Sequence, residues 1–288
     1  MDPLDQFRND LSDIISDDDQ VLVIHSGIWS IAKQLEIPPE EVPRAAIDAL
    51  IDVAGPLRTI IMPAFTSNFS KTGYFDLVRS RPETGVLVDT FLRYPEVVRT
   101  SQPANSFAVL GPDAKAVCDR PCTTAWGTDS VKGWLYEIDA RFISVGVHSL
   151  LSCSYYHYAE QSVGVPYRYF KRMNGNLLYD GRKISNISEV LYVKPFGKAC
   201  KFIAKPADER LQAEGLKSRP SSDLGVYMES LSMRNLVDTA TDILRESPYA
   251  FISTEDRAAL KNWVESGALA KEIASLSEEQ RYVPVKEV

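Results

Sequence analysis

Short apolar runs alternate with amphipathic stretches along the first 150 residues. Residues 4–15 place apolar side chains at 4, 7, 11, 14 and 15, a helical period, and end against the acidic run at 17–19. Residues 21–24 are continuously apolar, the pattern of a strand buried on both faces of a helix-covered parallel sheet. A helix is expected over 28–35, and another, opened by Pro38-Pro39-Glu40-Glu41, runs to Ala54 and stops at Gly55-Pro56. Residues 59–62 predict the next strand, and strand, helix and strand in this order argue for a right-handed βαβ unit. Downstream the pattern predicts a helix from Gly85 through Arg93 and strands at 107–110 and 142–147. Residues 165–206 alternate aromatic and β-branched side chains with the turn pairs Asn174-Gly175 and Asp180-Gly181, a signature of antiparallel hairpins. Helical periodicity returns over 231–246 and 253–276, separated by Ser247-Pro248. With no repeat and no linker, one α/β domain over 1–288 is expected. Helices should layer around a largely parallel central sheet, with an antiparallel β addition in the C-terminal half.

Lys and Arg number 32 against 39 Asp and Glu, a net charge of −7 over 288 residues, with 44% hydrophobic and 25% charged residues. That is the balance of an ordinary water-soluble globular chain, not of a disordered, collagenous or membrane-spanning one. A nucleic-acid binder relying on counterion release carries a basic excess or a dense basic run, and neither is present. Small cationic or neutral ligands fit the charge better, and neither nucleic acid nor membrane is expected as a partner. Cys118, Cys122, Cys153 and Cys200 are too sparse for a disulfide framework and read as reduced thiols. Cys118 and Cys122 are spaced like two legs of a zinc site, but with only His25, His148 and His157 and no second cysteine pair, no metal is expected. The acidic N-terminus has no apolar stretch of signal-peptide length, which makes the cytoplasm the expected compartment.

In open α/β sheets ligands sit at the carboxyl ends of parallel strands. Two loops meet that description, His25-Ser26-Gly27-Ile28 and Phe65-Thr66-Ser67, although a serine–glycine at a strand end also serves as a plain capped turn. No GxGxxG or Walker loop is present, so dinucleotide redox and nucleotide hydrolysis lack their fingerprints. The segment 146–160 is more informative: a buried strand, a polar loop, then a helix starting near Ser154. It puts His157 and Glu160 three apart on one helical face. A histidine with a carboxylate neighbour has a fixed ring and a raised pKa, the makings of a general base near neutrality. The same pair also occurs as an ordinary surface contact.

The ordered segments at 25–31, 62–66, Phe75-Asp76, 85–93, 99–106, Trp126-Gly127 with Ser130, and Ser154-x-x-His157-x-Ala159-Glu160 resemble the successive signatures of the aminoglycoside 3-N-acetyltransferase family. Gly225, Asp238, Ala240 and Pro248 resemble its C-terminal pattern, so the likeness covers nearly the whole chain. The resemblance implies a fold distinct from the GNAT acetyltransferases and transfer of an acetyl or other short acyl group from coenzyme A to a sugar amine. It implies that His157 is the general base and Glu160 its carboxylate companion. The same resemblance implies that Ser154 lies near the thioester, that Ser26, Gly27, Ile28 and Ser30 form the loop that meets the pyrophosphate, and that Phe65, Thr66 and Ser106 belong to other coenzyme-facing segments. No covalent enzyme intermediate is needed.

The chain departs from the family where Gln102 and Asn105 stand for two histidines, Asp89 for a glutamate and Leu92 for an arginine. Gln102 and Asn105 can hydrogen-bond but cannot titrate, which points to a different acceptor or acyl group. Asp76, Asp89, Asp129 and Glu160 are the candidate anionic contacts. Tyr167, with Tyr155, Tyr156, Tyr158 and Tyr169, suits a pocket for a sugar ring. The favoured acceptor is a biosynthetic amino sugar, with a nucleotide-linked sugar of surface-polysaccharide assembly as one form it could take, and an aminoglycoside is the alternative. Two other readings stay open: a catalytically silent coenzyme- or sugar-binding relative, and a hydrolase acting through Cys153. Oligomeric state is also left open.

Overall fold

Both faces of the apolar run at 21–24 are covered. In the computed structural model, which describes residues 2–148, 154–220 and 224–284, this run lies in β1 (Val21–Ser26). Before it comes α1 (Pro3–Asp13); after it come α2 (Ile28–Gln34), α3 (Val42–Ala54), β2 (Thr59–Pro63), α4 (Phe69–Thr72), β3 (Tyr74–Asp76), α5 (Val86–Phe91) and β4 (Val98–Arg99). A 3-10 turn (Pro103–Asn105) leads into β5 (Phe107–Leu110), α6 (Ala114–Cys118), α7 (Val131–Glu137), β6 (Arg141–Val145) and α8 (Tyr156–Val163). The remainder is β7 (Tyr169–Tyr179), β8 (Arg182–Val193), α9 (Lys205–Ala213), β9 (Met228–Ser232), α10 (Met233–Glu246), α11 (Thr254–Glu265) and α12 (Ala268–Ala274).

The central sheet has the order β4-β5-β2-β1-β6-β9. Its middle strands β2, β1 and β6 are parallel, in register through Val23 opposite Ile61 and Phe142; β5 and β9 run antiparallel to their neighbours. Alternation along β1 explains why the run is continuously apolar. Leu22 and Ile24 pack with Phe7, Ile47, Leu50 and Phe91 of α1, α3 and α5, while Val21 and Val23 pack with Leu135, Ala159 and Leu236 of α7, α8 and α10. A second sheet, β3-β7-β8, stands apart, with the long β7–β8 hairpin antiparallel and β3 parallel to β7. No helix among the described residues is long and apolar enough to cross a membrane.

Four expectations change. Asp180-Gly181 is the hairpin turn, both residues having positive φ (46° and 83°), but Asn174-Gly175 lies inside β7. Glycine is required there because Gly73 passes over it: a Cβ would fall 2.3 Å from the Gly73 carbonyl, which accepts from Asn176 N–H at 2.7 Å. Residues 228–232 are a strand, so the helix expected from 231 begins at Met233. The helix expected over 253–276 breaks at Gly267, with φ of 77°. The helix opened by Pro38-Pro39 starts only at Val42.

Candidate active site

Ser154 and Tyr155 lead into α8, which packs Ala159 into the core and ends where Gly164 adopts a left-handed conformation. The i, i+3 spacing then brings His157 Nδ1 to 2.6 Å from Glu160 Oε2. Glu160 is completely buried and takes two further partners, the Tyr167 hydroxyl at 2.7 Å on Oε1 and the Arg168 guanidinium at 2.7 Å on Oε2. Burial alone would raise its pKa, but the His157 bond, the Arg168 charge and the Tyr167 hydroxyl hold it at about 2. As an ionised carboxylate it only accepts, so Nδ1 of His157 carries the proton and the neutral ring keeps its lone pair on Nε2. Arg168 Nη2 lies 3.1 Å from the same Nδ1, but guanidinium and N–H are both donors, so its bonds go to Glu160 and to the Tyr192 carbonyl (2.9 Å).

Tyr167 therefore sits behind the base as a support for Glu160, and Arg168, which carries no sequence signal, completes the constellation. The imidazole lies between Trp126 and Phe202, at centroid distances of 5.0 and 5.8 Å, with 28% of its side chain exposed. The raised pKa expected from a carboxylate neighbour is reversed. Burial and the Arg168 charge outweigh Glu160 and lower the pKa below the ordinary histidine value, so the ring is neutral at pH 7.

His157, Ser154, Phe65, Asn105 and Trp126 line one cleft of about 320 Å³, closed on the side of the second sheet by Met173 and Leu191. The buried Ser154 hydroxyl meets no partner among the described residues. Asn105 Oδ1 accepts from Trp126 Nε1 at 2.8 Å and from Lys132 Nζ at 2.6 Å. Glu189 of β8, 3% exposed, accepts from the Ala104 N–H at 2.8 Å. Its burial pushes the carboxyl up to about 7 against the opposing pull of the Ala104 and Asn105 N–H groups and the Lys132 charge.

The other candidates are not gathered at this cleft. Ser26, Gly27, Ile28 and Ser30 lie at the carboxyl end of β1, where Gly27 and Gly146 touch backbone to backbone. A Cβ on Gly27 would meet the Gly146 carbonyl at 2.7 Å, and Ser30 Oγ donates to that carbonyl at 2.8 Å. Thr66 and Ser106 are buried, and both hydroxyls bond Arg99, Thr66 at 2.8 Å. Asp76 accepts from the backbone N–H groups of Val78, Arg79, Asp180 and Gly181, which fixes a turn. Asp89 pairs with Arg93 at 2.6 Å in a separate groove that includes Arg79, Arg81 and Arg99. Gln102 precedes the 3-10 turn, with its buried Oε1 unpartnered among the described residues. Cys153 lies outside the described residues. His148, Asp208 and Glu229 bring ligating atoms within 4.8 Å of one another, but the Lys217 ammonium already bridges the two carboxylates. Lys132 and Glu189, like Arg168, belong to no motif that the sequence offers.

The family model for aminoglycoside 3-N-acetyltransferases matches residues 23–245. The chain is 27% identical to aminoglycoside N(3)-acetyltransferase IV from Salmonella sp over 237 residues, 81% of this chain and 83% of that protein. The apoenzyme structure of aminoglycoside acetyltransferase AAC(3)-IVa superimposes with a TM-score of 0.70 at 24% identity, covering 90% of this chain and 96% of the other. A binary complex of AAC-IIIb with CoASH gives a TM-score of 0.68 at 18% identity, covering 84% and 96%. With the family model spanning most of its length, the chain belongs to the aminoglycoside 3-N-acetyltransferase family and is an acyl-CoA-dependent N-acyltransferase.

Proposed function

We propose that the protein moves an acetyl or other short acyl group from coenzyme A to the amine of an amino sugar, with His157 as general base. The observation that carries this reading is the neutral imidazole at the cleft, its Nδ1–H committed to Glu160 and its Nε2 lone pair available. An aminosugar nitrogen arrives largely as an ammonium ion and attacks only after losing a proton. That first proton goes to solvent, and His157 Nε2 takes the second, directly or through one water, as the neutral amine bonds to the thioester carbonyl carbon. The imidazolium formed is stabilised by Glu160. Ser154 Oγ, buried and unpartnered among the described residues, is the candidate donor to the developing oxyanion. Collapse of the tetrahedral intermediate breaks the carbon–sulfur bond, and His157 returns its proton to the thiolate.

On the coenzyme side, Ser26, Gly27, Ile28, Ser30 and Phe65 are assigned to contact. Arg99 takes up the hydroxyls of Thr66 and Ser106, so these two would shape the wall beside it. The complexes of AAC(3)-IVa with a gentamicin and of AAC-IIIb with CoASH support an amine acceptor and coenzyme A as the two small-molecule partners. The test is thiol release from acetyl-CoA across a panel of amino sugars. His157→Ala should lose about 10²–10⁴-fold in kcat/KM on the best acceptor; full activity in that variant would remove His157 from the mechanism.

A further inference from the structure

Behind the cleft stands a cation that the acyl transfer does not use. Lys132, the second residue of α7, is 1% exposed, and its Nζ donates to Asn105 Oδ1 at 2.6 Å. The ammonium lies 5.1, 5.5 and 5.7 Å from the ring centroids of Phe65, Trp126 and Tyr155. Three aromatic rings and an amide oxygen are the groups with which a protein cages a ligand's ammonium, and here the chain's own lysine fills the cage. Because Phe65, Trp126 and Asn105 themselves line the cleft, Lys132 is one layer of side chains from its interior.

The surrounding charges leave the cation dominant. Arg168, one residue before β7, flanks His157, and its guanidinium balances the charge of Glu160. Glu189, with its carboxyl near 7, is only partly ionised at neutral pH, and burial keeps the neighbouring Cys122 thiol protonated, with its pKa pushed up to about 12. Across one layer of side chains, bringing like charges together is an element of discrimination.

We propose that Lys132 determines the acceptor class: its buried ammonium disfavours amines that carry further positive charges and leaves an amino sugar with a single amine as the fitting acceptor. This rests on the reading of the cleft as the acceptor site of an N-acyltransferase. It predicts discrimination against polycationic aminoglycosides in a chain that belongs to their family.

The wild-type enzyme supplies the first test. In low-salt buffer, kcat/KM for acetyl transfer should fall stepwise across acceptors with one amine (glucosamine), two amines, and several (gentamicin); a rise with added charge would overturn the proposal. The variants supply the second. Lys132→Met keeps the apolar stem packed, and Lys132→Gln keeps a donor to Asn105; both remove the charge. Each should raise the gentamicin-to-glucosamine ratio of kcat/KM at least tenfold, mainly through KM, while Lys132→Arg keeps the wild-type ratio. The acidic limb of the pH profile should move upward in both neutral variants, because Lys132 is, with Arg168, a cation that lowers the His157 pKa against the pull of Glu160. A purely structural lysine would depress both substrates and leave ratio and limb in place, which would sink this inference and spare the acyltransferase reading. Absence of thiol release with every amine would instead sink the reading of the cleft, and this inference with it.

Discussion

Two buried carboxylates stand behind lining residues of the cleft, Glu160 on His157 and Glu189 on Ala104, and end in opposite states. Glu160, on α8, is fully buried and held at about 2. Glu189, on β8, is 3% exposed and pushed up to about 7. Desolvation is the largest influence on both and acts in the same direction. What differs is the company: Glu160 has a histidine, a guanidinium and a phenol on its oxygens. Glu189 has the N–H groups of Ala104 and Asn105 and the Lys132 charge at its side, with no cation or phenol bonded to its oxygens among the hydrogen bonds and ion pairs described. Burial sets the penalty, and the number and charge of the donors decide which form survives it. The α8 side thus holds a permanent anion that orients a base, and the β8 side a group that titrates near neutrality under the wall.

Removing the charge on the α8 side should have the largest effect. Glu160→Gln leaves the Arg168 side chain, only 3% exposed, without its counter-ion, and an uncompensated buried charge costs about 3–5 kcal/mol. The amide can also offer an N–H to Nδ1 and stabilise the wrong imidazole tautomer, so kcat/KM should fall by about 10²–10⁴-fold. Urea unfolding and thiol-release kinetics measure the two losses separately. A variant as stable and active as wild type would mean that the pair neither orients the base nor compensates Arg168.

The opposite states also predict opposite pH dependences. Glu160, below its ordinary 4.5, contributes stability above about pH 4.5 that is lost as pH falls toward 2. Glu189 is raised from 4.5 to about 7, so the folded protein binds its proton more tightly than the unfolded chain does. Its contribution is present below pH 4.5 and fades as pH rises to about 7, a span worth about 3 kcal/mol. Glu189→Gln should abolish that decline and leave the acid limb alone. An unchanged slope between pH 4.5 and 7 in the variant would show that Glu189 titrates normally.

This contrast also marks what a linear chain discloses. The strands β1, β2, β5 and β6 are legible because their apolar runs are buried on both faces. In contrast, β9 hides behind Glu229 and Ser230, both completely buried: Ser230 Oγ donates to the Ile14 carbonyl at 2.6 Å, and Glu229 pairs with Lys217 at 3.2 Å. Polar residues satisfied by distant partners leave no local pattern. Likewise His157 and Glu160 are legible because one helix fixes their spacing, whereas Arg168 reaches Glu160 only after the chain turns at Gly164. Lys132 stands in no motif and in no segment whose pattern the sequence discloses. It is buried against groups distant in the chain, the Asn105 amide oxygen and the rings of Phe65, Trp126 and Tyr155. Asp76 and Asp89, plausible anionic contacts in one dimension, are engaged elsewhere by backbone N–H groups and by Arg93.

The finest test of the donor argument takes away one donor and no charge. Tyr167→Phe keeps the buried ring against Tyr249, at a centroid distance of 5.3 Å, and deletes only the hydroxyl on Glu160 Oε1. A hydrogen bond to a charged group is worth about 1.5–3 kcal/mol net, so the variant should lose stability toward the lower end of that range. With Arg168 and His157 still in place, Glu160 stays ionised at neutral pH, so kcat/KM should drop only a few-fold. Its titration, followed by carboxyl carbon NMR, should move upward toward that of Glu189. If midpoint and stability both stay where they were, the phenol merely fills space, and the guanidinium and imidazole alone keep this carboxylate charged.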